Sequence, residues 1–333
     1  MSSPLPATER MPSPLGRFEL PLAALAAAAV FSAFFVVPGF AVVGAVVLPL
    51  AAVPVVRLAH RQGLVAGMTA CVLAAAVVLG IGWAGGGAGS GLGLAVAVLG
   101  LIALPTASVG FLRAGVDPSR CYVGLCLAGC ALLVAGYAAS ANGAGSSVSA
   151  ESAALVDQVI NTQMESYARS GADAASVARA RELLESVREI TRNYIWGMFG
   201  VLWVIGGAIA FYVGAFAARP GATADAARFE NLRVPAAGAA LFVAAGAIFG
   251  LMPGEGRRLA GNLLLPLLAL YFVAGLSIIC HFFRRWFRSR FLRVGLYTLV
   301  AYFPPMNFGV ALLGLFDWYV DFRRRGEGVI EKS

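Results

Sequence analysis

Residues 259–280 read Leu-Ala-Gly-Asn-Leu-Leu-Leu-Pro-Leu-Leu-Ala-Leu-Tyr-Phe-Val-Ala-Gly-Leu-Ser-Ile-Ile-Cys, between Arg257-Arg258 on one side and His281-Phe-Phe-Arg-Arg on the other. Uncharged runs of this length cross a hydrocarbon core of about 30 Å as a helix, at about 1.5 Å per residue. Comparable runs occupy approximately 20–37, 40–56, 64–83, 91–112, 121–140, 194–217, 234–252 and 294–320. Across all 333 residues, 59% are hydrophobic and 13% charged, with a mean hydropathy of +0.81. A water-facing surface normally needs about 25% charged residues, so an ordinary soluble enzyme is excluded. The expected fold class is all-α: a polytopic transmembrane helical bundle of eight or nine spans with an extracytoplasmic helical hairpin insertion.

The remaining charge draws a topology. Of 25 basic residues only Lys332 is a lysine, and the arginines cluster at the ends of apolar runs. With the N-terminus inside, Arg57, Arg61, Arg113, Arg120, Arg219, Arg228, Arg233 and the cluster Arg284–Arg293 are all cytoplasmic, as the positive-inside bias requires. No continuous basic face of the kind that grips nucleic acid is present. The last run allows two arrangements. A single crossing at 294–320 leaves 14 basic residues inside and 11 outside; a fold-back at Pro304-Pro305 makes the split 18 to 7, at the cost of a re-entrant segment that neighbouring helices must protect. The chain thus divides into a disordered cytoplasmic tail (1–19), N-terminal membrane helices (20–140), the outer hairpin (141–193), C-terminal membrane helices (194–320) and a basic tail (321–333).

Residues 150–192 hold seven of the 17 acids and five arginines. Leu155, Val159, Met164 and Tyr167, then Val177, Ala180, Leu184 and Val187, fall at helical spacing, with Ser170-Gly171 as the break. This is the pattern of two amphipathic helices, either a solvated lid or a partner-binding module.

Catalytic signatures are scarce. His60 and His281 each adjoin arginine at a helix end, the five cysteines lie in or beside apolar runs without C-x-x-C, and no Walker A, H-E-x-x-H or G-x-S-x-G stretch occurs. No enzymatic activity, cofactor or metal is expected. Polar groups at membrane depth are costly and point to function. Asn262, Tyr271, Tyr302, Asn307 and Asp317 are accordingly the candidate substrate-binding residues, Asn307 following the helix-breaking Pro304-Pro305. The two asparagines would serve equally as hydrogen bonds between helices. Asp317 and Asp321 stand one turn apart, and Asp321 is spaced to pair with Arg325. Gly206, Ala210 and Gly214, with Gly246 and Gly250, form small-residue faces on which a membrane partner could pack.

Several stretches carry a family likeness: Val47-Leu-Pro-Leu50, Phe229-Glu-Asn-Leu-Arg-Val-Pro235, Gly261-Asn-Leu-Leu-Leu-Pro266 running on to Tyr271–Ser277, and Leu312-Leu-Gly-Leu-Phe-Asp317 with Asp321-Phe-Arg323. In this order they resemble the YybS-like family of bacterial polytopic membrane proteins, over roughly residues 20–325. More distantly, the N-terminal helices are similar to the substrate-binding subunits of energy-coupling-factor transporters. That resemblance implies a chain in the bacterial cytoplasmic (inner) membrane, and an Ala-x-x-x-Ala contact with a coupling subunit, matched in spacing by Ala24 and Ala28 or by Ala29 and Ala33. The nine runs and the outer insertion depart from the six-helix core of those subunits. The expected function is transport-related binding of a small molecule within the bilayer. The alternative is a membrane scaffold or assembly factor for envelope or division machinery.

Overall fold

The computed structural model describes residues 19–27, 48–86, 99–143, 148–169, 173–217, 228–287, 289, 291–292, 295, 299–300 and 304–323. The regular elements among them are all helical. In chain order they are α1 (19–27), α2 (Val53–Gln62), α3 (Leu64–Gly86), α4 (Leu104–Arg113), α5 (Pro118–Gly143), α6 (Val148–Arg169), α7 (Ala174–Ala208), α8 (Ala236–Leu251), α9 (Glu255–Trp286) and α10 (Pro304–Val320). A π-turn at Ile209–Val213 carries α7 on to Ala217. Among the described residues Ala175–Ala217 and Glu255–Trp286 are long and apolar enough to cross a membrane; Leu64–Gly80, Leu101–Arg113 and Ala236–Leu251 are shorter apolar helices.

Local chemistry sets several boundaries. Pro54 and Pro105 sit in the first turns of α2 and α4, where a missing N–H costs nothing. Asp117 caps α5, its Oδ1 accepting from the N–H groups of Ser119 (3.0 Å) and Arg120 (3.1 Å). Asp173 does the same for α7 through the Ser176 N–H. Between α2 and α3 the chain turns on Gly63 alone, at φ +111°, a conformation that L side chains rarely adopt.

Packing falls into two halves. Helices α1 to α4 bury Ala27, Val55, Val56, Ala59, Ala74 and Val109 against one another. Helices α5, α7, α8, α9 and α10 enclose Tyr122, Phe211, Leu232, Tyr271 and Ala274. Two side chains of this half reach backbone carbonyls on the facing helix: Tyr122 donates to Val204 (2.8 Å) and the Trp203 indole to Leu125 (3.3 Å). Helix α9 is the hub, packing on α7, α8 and α10. It meets α10 backbone to backbone: a Cβ on Gly275 would overlap the Val310 carbonyl, and one on Gly314 the Tyr271 carbonyl.

The path of the last helix bears on the two arrangements of residues 294–320. Arg113 bonds the His60 carbonyl (3.1 Å), the Arg233 N–H bonds Ser119 Oγ (3.0 Å), and the Arg233 side chain pairs with Asp321 (3.0 Å). His281, Arg120 and Arg323 border a common cavity. These residues therefore share one end of the bundle, the His281 end. The chain is at that end at Trp286 and is there again at Asp321–Arg323. A single crossing would leave Asp321 at the far end, so the described residues fit the fold-back. Asp321 pairs with Arg233; Arg325, its expected partner, lies outside the described residues.

Helices α6 and α7 run side by side as an amphipathic pair. Arg188 contacts Asp157 (3.5 Å) and Asn161 (2.6 Å), and Arg192 also pairs with Asp157. The shared apolar face is Val156, Ile160 and Ile195, with Met164, Leu184 and Trp196. Tyr167 and Val187, expected on that face, are exposed instead.

The small-residue faces divide in use. Gly206 and Gly214 lie against Pro49 and Val56, and Ala210 is buried, so that face is consumed inside the protein. Ala24 is likewise buried; Ala28, Ala29 and Ala33 lie outside the described residues. Gly246 and Gly250 have no neighbour within 4 Å among the described residues.

Two outcomes are expected. Gly314→Val forces α9 and α10 apart and lowers stability by about 1–3 kcal/mol, read as a depressed midpoint of thermal unfolding in detergent. Gly309→Ala, inside α10 where a Cβ meets nothing within 4 Å, does not lower the midpoint. Separately, reporters fused after Phe287 and after Ser333 should give the same side of the membrane.

Candidate functional site

The polar residues at membrane depth occupy separate places. Asn262 stands near the start of α9, where that helix crosses a kink in α7 at Tyr194 (φ −126°, ψ 17°). Its Nδ2 donates to the Asn193 carbonyl (2.7 Å) and its Oδ1 accepts from the Gly197 N–H (2.7 Å). Residues 193 and 197 are the two backbone groups that bond each other in an unbroken helix. The carboxamide thus splices a broken hydrogen bond, and the second Nδ2 proton goes to the Arg258 carbonyl (2.9 Å). Close approach is allowed by glycine on both sides. A Cβ on Gly197 would come within 2.7 Å of Leu265, one on Gly200 within 2.9 Å of the Pro266 ring, and one on Gly261 would overlap the Tyr194 ring.

Tyr271 lies nine residues further along α9, buried edge-on against Phe242 with ring centroids 5.6 Å apart. Its hydroxyl has no hydrogen-bond partner among the described residues, and neither has Asn307 Oδ1. Tyr302 lies outside the described residues. Asp317 is buried at the His281 end, 3.4 Å from Arg323. Asn262 and Ser277, which Arg323 bonds, are separated by roughly 20 Å along α9. Asn262 and Asp317 therefore serve different ends of the bundle.

Arg323 is the functional-looking group that sequence reading passed over as part of a basic tail. It is 6% exposed. Its Nη1 donates to the Glu230 carbonyl (2.5 Å), and its Nη2 to the Leu232 carbonyl (2.7 Å) and Ser277 Oγ (2.8 Å). One guanidinium thereby ties α10, α9 and the 229–235 linker together. The available signal was Asp321, whose φ of +45° turns the chain back toward the bundle; Asp tolerates that conformation better than most residues.

A cavity of about 600 Å³ opens between α5, α7, α8 and α9. Its walls include Val123, Leu127, Trp196, Gly200, Asn262 and Leu267. Leu127, Leu241, Leu259 and Leu263 line it and are exposed, so its mouth lies on the lateral surface of the helices. Since Asn262 spends both ends of its carboxamide on the backbone, the lining there is apolar. Gly200 and the Pro266 ring, packed against each other, both line it.

The family model described as "Predicted membrane protein (DUF2232)" matches residues 24–318. The chain belongs to this family. As a DUF2232 protein it is a membrane protein, embedded in a lipid bilayer. No curated protein matches the chain. No solved structure matches it.

Electrostatics in this DUF2232 chain also acts on folding. His60 is buried at the end of α2, and burial, reinforced by the nearby Arg113 charge, lowers its pKa from 6.5 to about 4. The folded state therefore resists a proton that the unfolded state accepts. Stability from this source is complete above pH 6.5 and falls as pH drops toward 4. Unfolding midpoints measured across that range should decline, and His60→Gln should flatten the slope.

Asn262→Ala leaves the Gly197 N–H and the Asn193 carbonyl without their partner and should cost about 1–3 kcal/mol. Asn262→Asp, which accepts but cannot donate, should be no better. Thermal unfolding in detergent checks both, and unchanged midpoints would refute the splice.

Proposed function

We propose that this chain is a multi-pass protein of the bacterial cytoplasmic membrane that binds a small, largely apolar molecule, in a transport-related role. The observation that carries this reading is the 600 Å³ cavity. It is of the size of small-molecule sites, which are concave, mostly apolar and walled by several elements. Its lateral mouth suits a ligand that arrives through the bilayer. The likeness to the YybS-like family, and the distant one to energy-coupling-factor substrate-binding subunits, supports transport as the context. A binding role in place of catalysis follows from how few charges the sequence retains away from its topology-setting clusters.

Leu127→Trp fills the cavity from its exposed rim with little disturbance to the core. Wild-type protein should gain thermal stability with a panel of apolar metabolites, by about 1–3 kcal/mol at saturating ligand, and Leu127→Trp should lose that gain. Equal stabilisation of both proteins would place the ligand elsewhere.

A second reading, scaffold or assembly factor, draws on α7. Leu183, Val187 and Ile190 form an exposed apolar stripe on the hairpin, the kind of i, i+4, i+7 face a partner helix covers. Crosslinking before and after deletion of residues 150–192 separates the two readings, because the cavity lies beyond the deleted segment.

A further inference from the structure

A second cavity, about 620 Å³, lies at the His281 end, and its lining includes Ser119, Arg120, Asn231, Arg233, His281 and Arg323. The same helices wall both cavities in succession. On α5, Ser119 and Arg120 line this one and Val123, Cys126 and Leu127 the apolar one; on α9, His281 lines this one and Leu270, Leu267 and Leu263 the other. From Arg120 to Val123 is about 4.5 Å along the helix axis, and from Pro235 to Leu241, which line the two cavities from the linker and α8, about 9 Å. These distances are those between the head and the chains of a membrane amphiphile.

The polar end is lined by Arg120, Arg233 and Arg323 and by one carboxylate, Asp117. Arg120 and Asn231 are exposed in that lining. Ser119 Oγ accepts from the Arg233 N–H, which leaves its own proton to give. Arg323 Nε is buried without an acceptor. On the acceptor side, Asp117 is the carboxylate in the lining and its Oδ1 is already taken by two N–H groups. Asp321 and Asp317 are engaged by Arg233 and Arg323. Three arginines against one carboxylate make the lining net positive, which suits an anion, and a phosphate offers several acceptors to arginine in a fixed geometry. Exposed Trp318 borders the same cavity, an indole placed as at the headgroup level of a bilayer.

We propose that the two cavities form one groove for a phosphate-bearing amphiphile, with the phosphate held by Arg120, Ser119 and Asn231 and the hydrocarbon chains laid along Val123, Leu127 and Leu267. This rests on the apolar cavity being a binding site and adds to it the chemical class of the ligand. It also assigns Arg120 a role that a topology-setting arginine does not have.

Full-length protein in neutral detergent micelles tests the groove by titration with dioleoyl phosphatidic acid, dioleoylglycerol, which has the same chains without phosphate, and glycerol 1-phosphate, which has the head alone. Phosphatidic acid should bind about tenfold or more tighter than dioleoylglycerol, as one desolvated charge-assisted contact predicts, and glycerol 1-phosphate more weakly than either. Arg120→Gln should remove most of the phosphate advantage without altering dioleoylglycerol binding, while Arg57→Gln, an exposed arginine outside this cavity, should change nothing. If Arg120→Gln binds phosphatidic acid as wild type does, or if Arg57→Gln weakens it equally, the phosphate assignment falls. The apolar site then still stands wherever Leu127→Trp abolishes dioleoylglycerol binding. Undiminished binding of both lipids by Leu127→Trp would overturn the cavity reading itself. Glycerol 1-phosphate binding as tightly as the lipid would mark the site as one for free phosphate esters and overturn the groove.

Discussion

Backbone groups taken out of water must find partners inside the protein, and the Asn262 carboxamide meets that constraint where α7 breaks at Tyr194. Helix α7 bends at Tyr194 and gives up a hydrogen bond between residues 193 and 197. One side chain from α9 restores both halves. That exchange fixes where α9 crosses α7 and places Pro266 against Gly200. It thereby holds one wall of the apolar cavity open. The kink also lets the outer part of α7 lean on α6 while its inner part stays with the bundle.

The opposite end is held by a different chemistry. There Arg323 gathers two linker carbonyls, a serine hydroxyl and a carboxylate, so α8, α9 and α10 are fastened by charge-assisted bonds in place of packed apolar surface. Between the two fastenings α9 and α10 touch at Gly275 and Gly314 with no side chain intervening. Helix α9 is thus constrained at its start, middle and end, whereas α8, which carries the open face of Gly246 and Gly250, is bound chiefly through α9.

Much of the fold was legible because composition at this extreme leaves few choices. Apolar runs bounded by arginine had to be helices, and the break near Ser170-Gly171 separated α6 from α7. Three things were not legible. Nothing near Tyr194 announces a kink, since neither proline nor an adjacent glycine pair marks it, so Asn262 read equally well as a ligand-binding group or an interhelical one. The amphipathic pair buries Val156, Ile160 and Ile195, and periodicity alone does not say which of several apolar residues a helix turns to its partner. Arg323 looked like one member of a basic cluster, because burial of an arginine depends on carbonyls almost a hundred residues away. Of the five residues singled out, Asn262 lines the cavity, while Tyr271, Asn307 and Asp317 take other places in the bundle.

The Arg323 clasp also imposes an order on biosynthesis. Its acceptors, the carbonyls of Glu230 and Leu232 and the hydroxyl of Ser277, leave the ribosome long before Arg323 does. Helices α5 to α9 must therefore enter the bilayer with the 229–235 linker still unfastened, and the linker is secured only after the chain has turned on Asp321. Arg323 locks a joint 93 and 91 residues upstream of it, at Glu230 and Leu232, so closure of the bundle at that end waits for translation to pass it.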